Sequence, residues 1–285
     1  MSKVAIVTDS TAYLPEELTR GLSIHTVPLQ LIWGDQTYRD GVDFTPAEFY
    51  TRLPESKVNP TTPQPSPAAF RAVYERLLEE GYDILSVHIS SKLSGTMDSA
   101  IQARQTFPSS SIELVDTLST SLGMGFAILE AGRAAGQGST LKECKAMVEH
   151  MVSNSKIFFL VSTLEFLRRG GRIGGAQAFL GTALNPKPIL ELRDGRVEAL
   201  ERVRTWNKAQ DRLIDLFQQE IGSRRPVRIG VLHANAPEEA ARVMERAKGL
   251  FNVGDIRETV LAPVSPVIGT HTGPGTIGLA FTVGI

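Results

Sequence analysis

The sequence has little cysteine, almost no net charge and no long apolar run. The single cysteine, Cys144, excludes an intramolecular disulfide and a cysteine-rich metal site. There are 30 Lys and Arg residues against 31 Asp and Glu residues, so no overall positive charge points to nucleic acid. No run of about 18 apolar residues predicts a membrane-spanning helix, and the first residues, MSKVAIVTDS, lack the apolar stretch of a signal peptide. We therefore expect a cytoplasmic protein that binds no nucleic acid.

Common metal and phosphate motifs are also missing. The five histidines are scattered and do not have the spacing of zinc ligands, and no G-x-x-x-x-G-K-[ST] sequence occurs. A formal G-x-G-x-x-G at Gly273, Gly275 and Gly278 precedes a strand-like run near the end of the sequence, whereas a dinucleotide fingerprint opens a helix. The sequence therefore predicts no metal site and no cofactor.

Apolar, β-rich runs alternate with helical patterns in the first half of the chain. The runs lie at Val4–Val7, Ile84–Ile89 and Ile112–Val115. A helical pattern follows in PAAFRAVYERLLEEG, and Thr140 and Glu143 have the spacing of a capping box before another helix. This alternation predicts an α/β fold in which helices cover a parallel sheet.

The pattern changes after a run at Ile157–Val161 that is apolar throughout and is typical of a central strand. The dipeptide Asp194-Gly195 between two β-like runs predicts a hairpin, which makes the second sheet mixed. A helix is expected at Asn207–Ile221. We predict two domains, an N-terminal α/β domain at 1–160 and a C-terminal α/β domain at 161–285.

Hydroxyl-rich loops follow the predicted strands of the first domain. They are VTDST, SSKLSGT and VDTLSTSLGMG, and a fourth loop, NPTTPQPSP, leads into a helix. Loops at the carboxyl ends of parallel strands share one edge of the sheet, where α/β proteins bind ligands. Each loop alone is also compatible with ordinary helix capping. The weaker candidates for ligand binding in these and the C-terminal loop are Ser10, Thr11, Gly95, Thr96, Gly123 and Thr270.

Two further stretches carry candidate residues. STLEFLRRGGRIGG holds three arginines, within a segment at 168–204 that has eight basic and four acidic residues, or 8 − 4 = +4. The arginines are compatible with a solvated surface, a bridge between the domains, or a site for an anion or an acidic partner. VIGTHTGPGTIG places His271 between two threonines in an expected tight loop, where a histidine is compatible with a structural or a functional role.

Together these stretches resemble the DegV family. The motifs that carry the resemblance run in the same order over nearly the whole chain: TDST, PTTPQPSP, SSKLSGT, VDTLSTSLGMG, TLEFLRRGGRIG, NPKPIL and PVIGTHTGPGTIG. The resemblance implies two α/β domains with a lipid tunnel between or beneath them. The tunnel would hold one long-chain fatty acid, such as palmitate, stearate or oleate. It further implies that the protein is not itself an enzyme. A separate fatty acid kinase would phosphorylate the presented carboxylate, and the acyl-phosphate would feed phospholipid synthesis.

The resemblance also implies roles for individual residues. Thr62, Ser94 and His271 occupy the family's carboxylate-holding positions. Pro63 stands where the family pattern has serine, and it removes a backbone N–H beside Thr62. Three arginines, Arg168, Arg169 and Arg172, resemble a docking patch for the kinase, and they are also candidates for transient contact with an anionic membrane.

Two other functions remain open from the sequence. Asp9, Ser94 and His271 could form the triad of a serine hydrolase, although Ser94 lacks a G-x-S-x-G elbow. The glycine and hydroxyl loops could instead bind phosphate or a nucleotide, although no phosphate-binding lysine motif accompanies them.

Overall fold

The computed structural model describes residues 3–181 and 186–285, so the predicted motif that begins at Asn185 starts outside the described residues. Within these ranges the strands are β1 (Lys3–Asp9), β2 (Ile24–Val27), β3 (Gln30–Trp33), β4 (Gln36–Arg39), β5 (Tyr82–His88), β6 (Ile112–Asp116), β7 (Ser155–Leu160), β8 (Lys187–Arg193), β9 (Arg196–Val203), β10 (Val227–His233), β11 (Ile256–Pro263) and β12 (Ile277–Val283). The α-helices are α1 (Glu16–Thr19), α2 (Pro46–Arg52), α3 (Pro67–Glu79), α4 (Thr96–Arg104), α5 (Leu122–Gly136), α6 (Leu141–Ser153), α7 (Glu165–Arg169), α8 (Trp206–Ile221), α9 (Pro237–Lys248) and α10 (Pro266–Thr272).

The first sheet has the order β2-β1-β5-β6, and all of its pairings are parallel. Its two faces are both buried, as the continuous apolar runs predict. Ala5 and Val7 pack with α3 and α4 on one face, while Val4 and Ile6 pack with α5 and α6 on the other. The predicted parallel sheet with covering helices is confirmed.

The second sheet has the order β11-β10-β12-β7-β8-β9. β10 and β11 are parallel and the other pairs are antiparallel, so the predicted mixed sheet is also confirmed. Helices α8 and α9 cover one face. The other face packs against α5, which also contacts β1 and therefore lies between the two sheets. This arrangement makes the space beside α5 the place where both halves of the chain meet.

The change from one sheet to the other comes earlier than the predicted boundary near residue 160. Strand β7, Ser155–Leu160, pairs with β12 and β8 of the second sheet. Apolar content places β7 correctly as a central strand but does not say which sheet it joins, because its partner β12 lies more than a hundred residues away in sequence.

A small hairpin of β3 and β4 carries its own aromatic cluster with α2. Trp33 and Phe49 pack edge to face at 5.4 Å between ring centroids. The hairpin also binds the segment before α3, because Ile32 and Thr61 exchange backbone hydrogen bonds of 2.8 and 2.9 Å. The Tyr50 hydroxyl donates to the Val264 carbonyl at 3.1 Å and so ties α2 to the segment that enters α10. In the described part of the chain, no helix combines the length and apolar character needed to cross a bilayer.

Candidate functional site

Four separate segments meet at the side of the second sheet that faces α5. The carboxyl ends of β5 and β6 carry two of the hydroxyl-rich loops, which are held together by a hydrogen bond of 2.8 Å from the Ser90 amide to the Ser119 carbonyl. The segment before α3 is fixed beside them by the pairing of Thr61 with the hairpin. Helix α10 is the fourth segment, and its N-terminus is capped by Ser265.

His271 lies in the last turn of α10, not in a loop as expected from the surrounding glycines. Its Nε2 is 2.7 Å from Thr62 Oγ1, which joins two residues 209 positions apart in sequence. Its Nδ1 is buried and has no hydrogen-bond partner among residues 3–181 and 186–285. This atom faces Gly170, where an added Cβ would come within 2.0 Å of it. The glycine therefore allows α7 to approach the ring closely.

Ser94 and Arg172 complete the polar group around this pair. The hydroxyls of Ser94 and Thr96 are 2.8 Å apart, so one donates to the other. The Arg172 guanidinium donates from Nε to the Leu93 carbonyl at 2.9 Å and from Nη1 to the Gly170 carbonyl at 2.7 Å. These two bonds fix a positive charge beside the hydroxyls. We call Thr62, Ser94, Arg172 and His271 the mouth cluster.

A mostly apolar cavity adjoins the mouth cluster. Its volume is about 90 Å³. Since one water needs roughly 10–15 Å³, the cavity is larger than a single-water site. Besides the mouth cluster, it is lined by Leu29, Ile89, Leu93, Thr120, Ser121, Ile157, Phe159, Leu167, Leu192, Val197, Leu232, Val264, Val267, Ile268, Thr272, Thr276 and Gly278.

An outer cleft adjoins this cavity and leads to the surface. Thr62, Arg172 and His271 line both spaces, so they lie where the two meet. The outer cleft is more polar and is also lined by Asn59, Thr61, Arg169, Gly170 and Thr270, with Leu53, Pro60, Pro63 and Phe166. Thr62, Arg172 and His271 therefore face the outer cleft on one side and the mostly apolar cavity on the other.

The electrostatics of His271 keep its ring neutral at physiological pH. Burial, and secondarily the charge of Arg172, lowers the pKa of His271 from 6.5 to about 4. A neutral ring donates from one nitrogen and accepts at the other. Thr62 Oγ1 lies 2.7 Å from Nε2, so when Nε2 carries the proton the ring donates to Thr62 and leaves the Thr62 hydroxyl free to donate to an anion at the mouth.

The weaker predicted residues are not all brought to the cavity. Ser10 donates to Asp40 at 2.7 Å and Thr11 donates to Asp9 at 2.5 Å, so the hydroxyls of this first loop are engaged elsewhere.

The other weaker candidates are closer to the mouth. Thr96 and Gly95 support Ser94, and a Cβ at Gly95 would meet Gln64 Oε1 at 1.7 Å, which shows how tightly the two loops pack. Thr270 lines the outer cleft, but its hydroxyl donates to the Pro266 carbonyl at 2.9 Å. Gly123 lies in α5, where a Cβ would meet Ser119 and Ile157, so it serves close packing.

The three residues of the possible hydrolase triad are not assembled. Asp9 accepts from the Ile89 amide at 2.9 Å and lies 3.1 Å from Nδ1 of His88, which is fully buried. Ser94 is bonded to Thr96, and His271 to Thr62. In the described ranges, no three His, Cys, Asp or Glu side chains are grouped as metal ligands.

The three predicted docking arginines divide into two kinds. Arg168 and Arg169 are exposed, with side-chain exposures of 53% and 51%, and both pair with Glu165. Arg172 instead turns inward to the mouth cluster, because its guanidinium is held by two backbone carbonyls. The sequence RRGGR does not distinguish these positions, because all three carry the same charge. The difference arises from the turn at Gly170-Gly171, which directs Arg172 away from Arg168 and Arg169.

Sequence reasoning did not select Thr120, Ser121 or the apolar wall of the cavity. Thr120 and Ser121 lie within the quoted hydroxyl loop VDTLSTSLGMG, so a signal existed for them. The wall residues Ile157, Phe159 and Leu232 belong to β7 and β10 of the second sheet. No local pattern marks them as lining a cavity. A strand buried on both faces has apolar residues on each face, so the sequence does not show which face lines the cavity.

Comparison with known proteins gives the family. The family model for DegV matches residues 3–283. The chain belongs to the DegV family. A DegV family protein from Thermus thermophilus with fatty acid binding has a similar structure, with a TM-score of 0.91, 40% sequence identity and 99% of each chain covered.

Two further DegV-like structures support the same fold. DegV of Bacillus subtilis, a fatty acid binding protein, has a TM-score of 0.88 and 33% identity, with 99% of this chain and 100% of that chain covered. A stearic acid-binding protein from Eubacterium ventriosum has a TM-score of 0.88 and 26% identity, with 100% of this chain and 99% of that chain covered. These similar proteins bind fatty acids.

Proposed function

We propose that this chain binds one long-chain fatty acid and presents its carboxylate at the mouth cluster to a separate fatty acid kinase. The observation that carries the proposal is a mostly apolar cavity that adjoins a small polar cluster beside an open cleft. A fatty acid has the same division, with a slender hydrocarbon and one charged end. The fatty acid binding of the similar proteins supports this choice of ligand.

The hydrocarbon supplies a large gross free energy of transfer. A sixteen-carbon acid has about 14 methylenes, and burial of each is worth roughly 0.8 kcal/mol, which gives about 11 kcal/mol of gross transfer free energy. Loss of translational and rotational freedom costs about 4–15 kcal/mol. Since these two quantities are similar, the hydrocarbon alone gives weak binding. Tight binding therefore requires that the protein compensate the cost of moving the carboxylate out of water.

The mouth cluster is suited to that carboxylate. A buried anion without hydrogen bonds is strongly unfavourable. The Thr62 hydroxyl can donate to it when His271 Nε2–H donates to Thr62, and the Ser94 hydroxyl can donate when Thr96 donates to Ser94. Arg172 adds a fixed positive charge, a contribution that the family resemblance did not suggest. Its Nε and Nη1 already donate to carbonyls, so the charge acts without a bidentate grip through those two groups. One carboxylate oxygen can therefore stay accessible from the cleft for phosphoryl transfer.

Binding is tested with delipidated protein and palmitate, stearate or oleate. A ligand at one hundred times its dissociation constant stabilises the native state by about 2.7 kcal/mol, so we expect a clear rise in melting temperature. Octadecanol is the matched control, because it has the hydrocarbon of stearate without the carboxylate, and we expect a smaller rise. No shift with any of the three acids, or an equal shift with the alcohol, would contradict the proposal.

Presentation to a kinase is supported by the position of the exposed arginines. Arg169 lines the outer cleft, and Arg168 is its neighbour on α7. Exposed positive charge beside the carboxylate would steer an acidic partner surface toward the mouth. The pairs with Glu165 are exposed, so they contribute little to stability.

The docking role is tested by charge reversal. We expect Arg169→Glu to raise the apparent KM of a fatty acid kinase for the loaded protein while the fatty acid content and melting temperature stay nearly constant. Arg246→Glu is the matched control, because Arg246 is also an exposed helical arginine paired with one carboxylate, Asp211. Equal kinase kinetics for the two variants would refute docking through Arg169.

A further inference from the structure

Two hydroxyls inside the cavity are buried without a hydrogen-bond partner. Thr120 and Ser121 follow β6 and line the cavity, and they are only 9% and 2% exposed. Thr120 Oγ1 and Ser121 Oγ have no partner among the described residues at 3–181 and 186–285. Buried hydroxyls in folded proteins are nearly always bonded, so this pair calls for a partner that the described part of the chain does not supply.

The backbone of this turn holds the hydroxyls away from their ordinary role. Ser121 is the N-cap of α5, yet its side chain makes no capping hydrogen bond. By contrast, Ser66, Thr140 and Ser265 all cap their helices through the side-chain oxygen. Ser121 has φ of 51° and ψ of −140°, a conformation that favours glycine. A serine therefore stays in a strained position with its hydroxyl unused by the helix.

The two hydroxyls lie on the cavity side of the mouth. Thr120 and Ser121 line the cavity but not the outer cleft, as does Ser94, whereas Thr62, Arg172 and His271 line both. The cavity wall also includes the apolar residues Ile157 and Phe159. The pair is thus a polar spot in a mostly apolar space, away from the outer cleft.

We propose that Thr120 and Ser121 form a second polar subsite that recognises a hydroxyl group on the hydrocarbon of a fatty acid. This inference rests on the proposed function and adds a substrate class to it, the hydroxylated long-chain fatty acids. A ligand hydroxyl both donates and accepts, as do the serine and threonine hydroxyls, so one ligand group can satisfy both side chains. An unsubstituted acid would pass the subsite with methylenes only and leave both hydroxyls unpaired.

The subsite is tested by comparing hydroxystearate isomers with stearate on the full-length, delipidated protein. The isomers differ in the carbon that carries the hydroxyl, so the series locates the depth of the subsite. We expect at least one isomer to bind the wild-type protein about threefold to tenfold more tightly than stearate, the effect of one net hydrogen bond. The measured quantity is the ratio of the two dissociation constants.

Variants connect that ratio to the two hydroxyls. Thr120→Val replaces the hydroxyl with a methyl group of similar size, and Ser121→Ala removes only the hydroxyl. We expect the preferred isomer to lose its advantage in each. Thr272→Val is the matched control, because Thr272 also lines the cavity but its hydroxyl already donates to the Ile268 carbonyl at 3.4 Å. We expect the ratio to stay at its wild-type value in this control.

Each other outcome overturns the subsite. If stearate binds and no isomer binds more tightly, the hydroxyls hold only an ordered water and the subsite fails while the proposed function stands. If Thr120→Val and Ser121→Ala weaken stearate and every isomer by the same factor, the hydroxyls contact the carboxylate or support the fold, and the subsite also fails. If neither stearate nor any isomer binds, the proposed function fails together with the subsite.

Discussion

Removal of the titratable ring of His271 should change how stability depends on pH. Burial and the neighbouring Arg172 lower the pKa of His271 in the native protein from 6.5 to about 4. Between these pH values the unfolded chain binds a proton that the native protein does not. The free energy of unfolding must therefore fall as the pH drops from about 6.5 to about 4. Above that range the ring is neutral in both states, and its contribution to stability is fully present. A pKa difference of about 2.5 units corresponds to about 3 kcal/mol at most.

The comparison that isolates this effect is wild type against His271→Gln, both delipidated. Urea unfolding at a series of pH values gives the free energy of unfolding of each protein. Other titrating groups affect both proteins alike, so they cancel in the difference. We expect the difference between wild type and variant to move in favour of the variant by up to about 3 kcal/mol as the pH falls through the range. Parallel curves between about pH 6.5 and about pH 4 would refute the burial of a neutral ring at the mouth.

Three further changes have defined outcomes. Ser94→Ala removes a donor to a charged acceptor, so fatty acid affinity measured by calorimetry should fall by about 1.5–3 kcal/mol with little change in melting temperature; unchanged affinity would remove Ser94 from the site. Gly170→Ala places a Cβ 2.0 Å from His271 Nδ1 and should weaken fatty acid binding, whereas Gly136→Ala, in open space on α5, should not; equal affinities in the two variants would contradict the close approach. Burial raises the pKa of Asp40 from 3.8 to about 7, so the stability of wild type relative to Asp40→Asn should decline as the pH rises from about 4 to about 7 in urea unfolding, and a constant difference would contradict it.

Local signals in the sequence predicted much of the fold. The Asp194-Gly195 turn forms the hairpin of β8 and β9, with φ of 50° and 79° at the two residues, as a two-residue turn requires. The capping box of Thr140 and Glu143 is present in full. Both features depend on neighbouring residues only, which is why the sequence is sufficient for them.

The remaining features of the fold could not be predicted, because they depend on pairing between strands that are distant in sequence. The last strand, β12, inserts between β10 and β7, and no feature of its seven residues indicates either partner. For the same reason β7 joined the second sheet although the predicted boundary placed it in the first domain. His271 was expected in a loop, because its glycine-rich surroundings hide the short helix α10 that begins at Pro266.

The candidate site divides in a similar way. The family resemblance selected Thr62, Ser94 and His271, and the structure brings them to one cavity. The inward turn of Arg172 and the unpaired hydroxyls of Thr120 and Ser121 could not be predicted, because each depends on how a turn directs a side chain. These are three-dimensional properties of the backbone rather than of residue type.

The most direct test of the central claim is mass spectrometry of the lipid released when the purified protein is denatured. The proposed function predicts about one long-chain, unesterified fatty acid per protein chain, because a mostly apolar cavity that binds such an acid would retain it through purification. The same extraction applied to delipidated protein reloaded with stearate should recover stearate at the same ratio. A protein that carries no fatty acid as purified, and that retains none after reloading, would contradict the account.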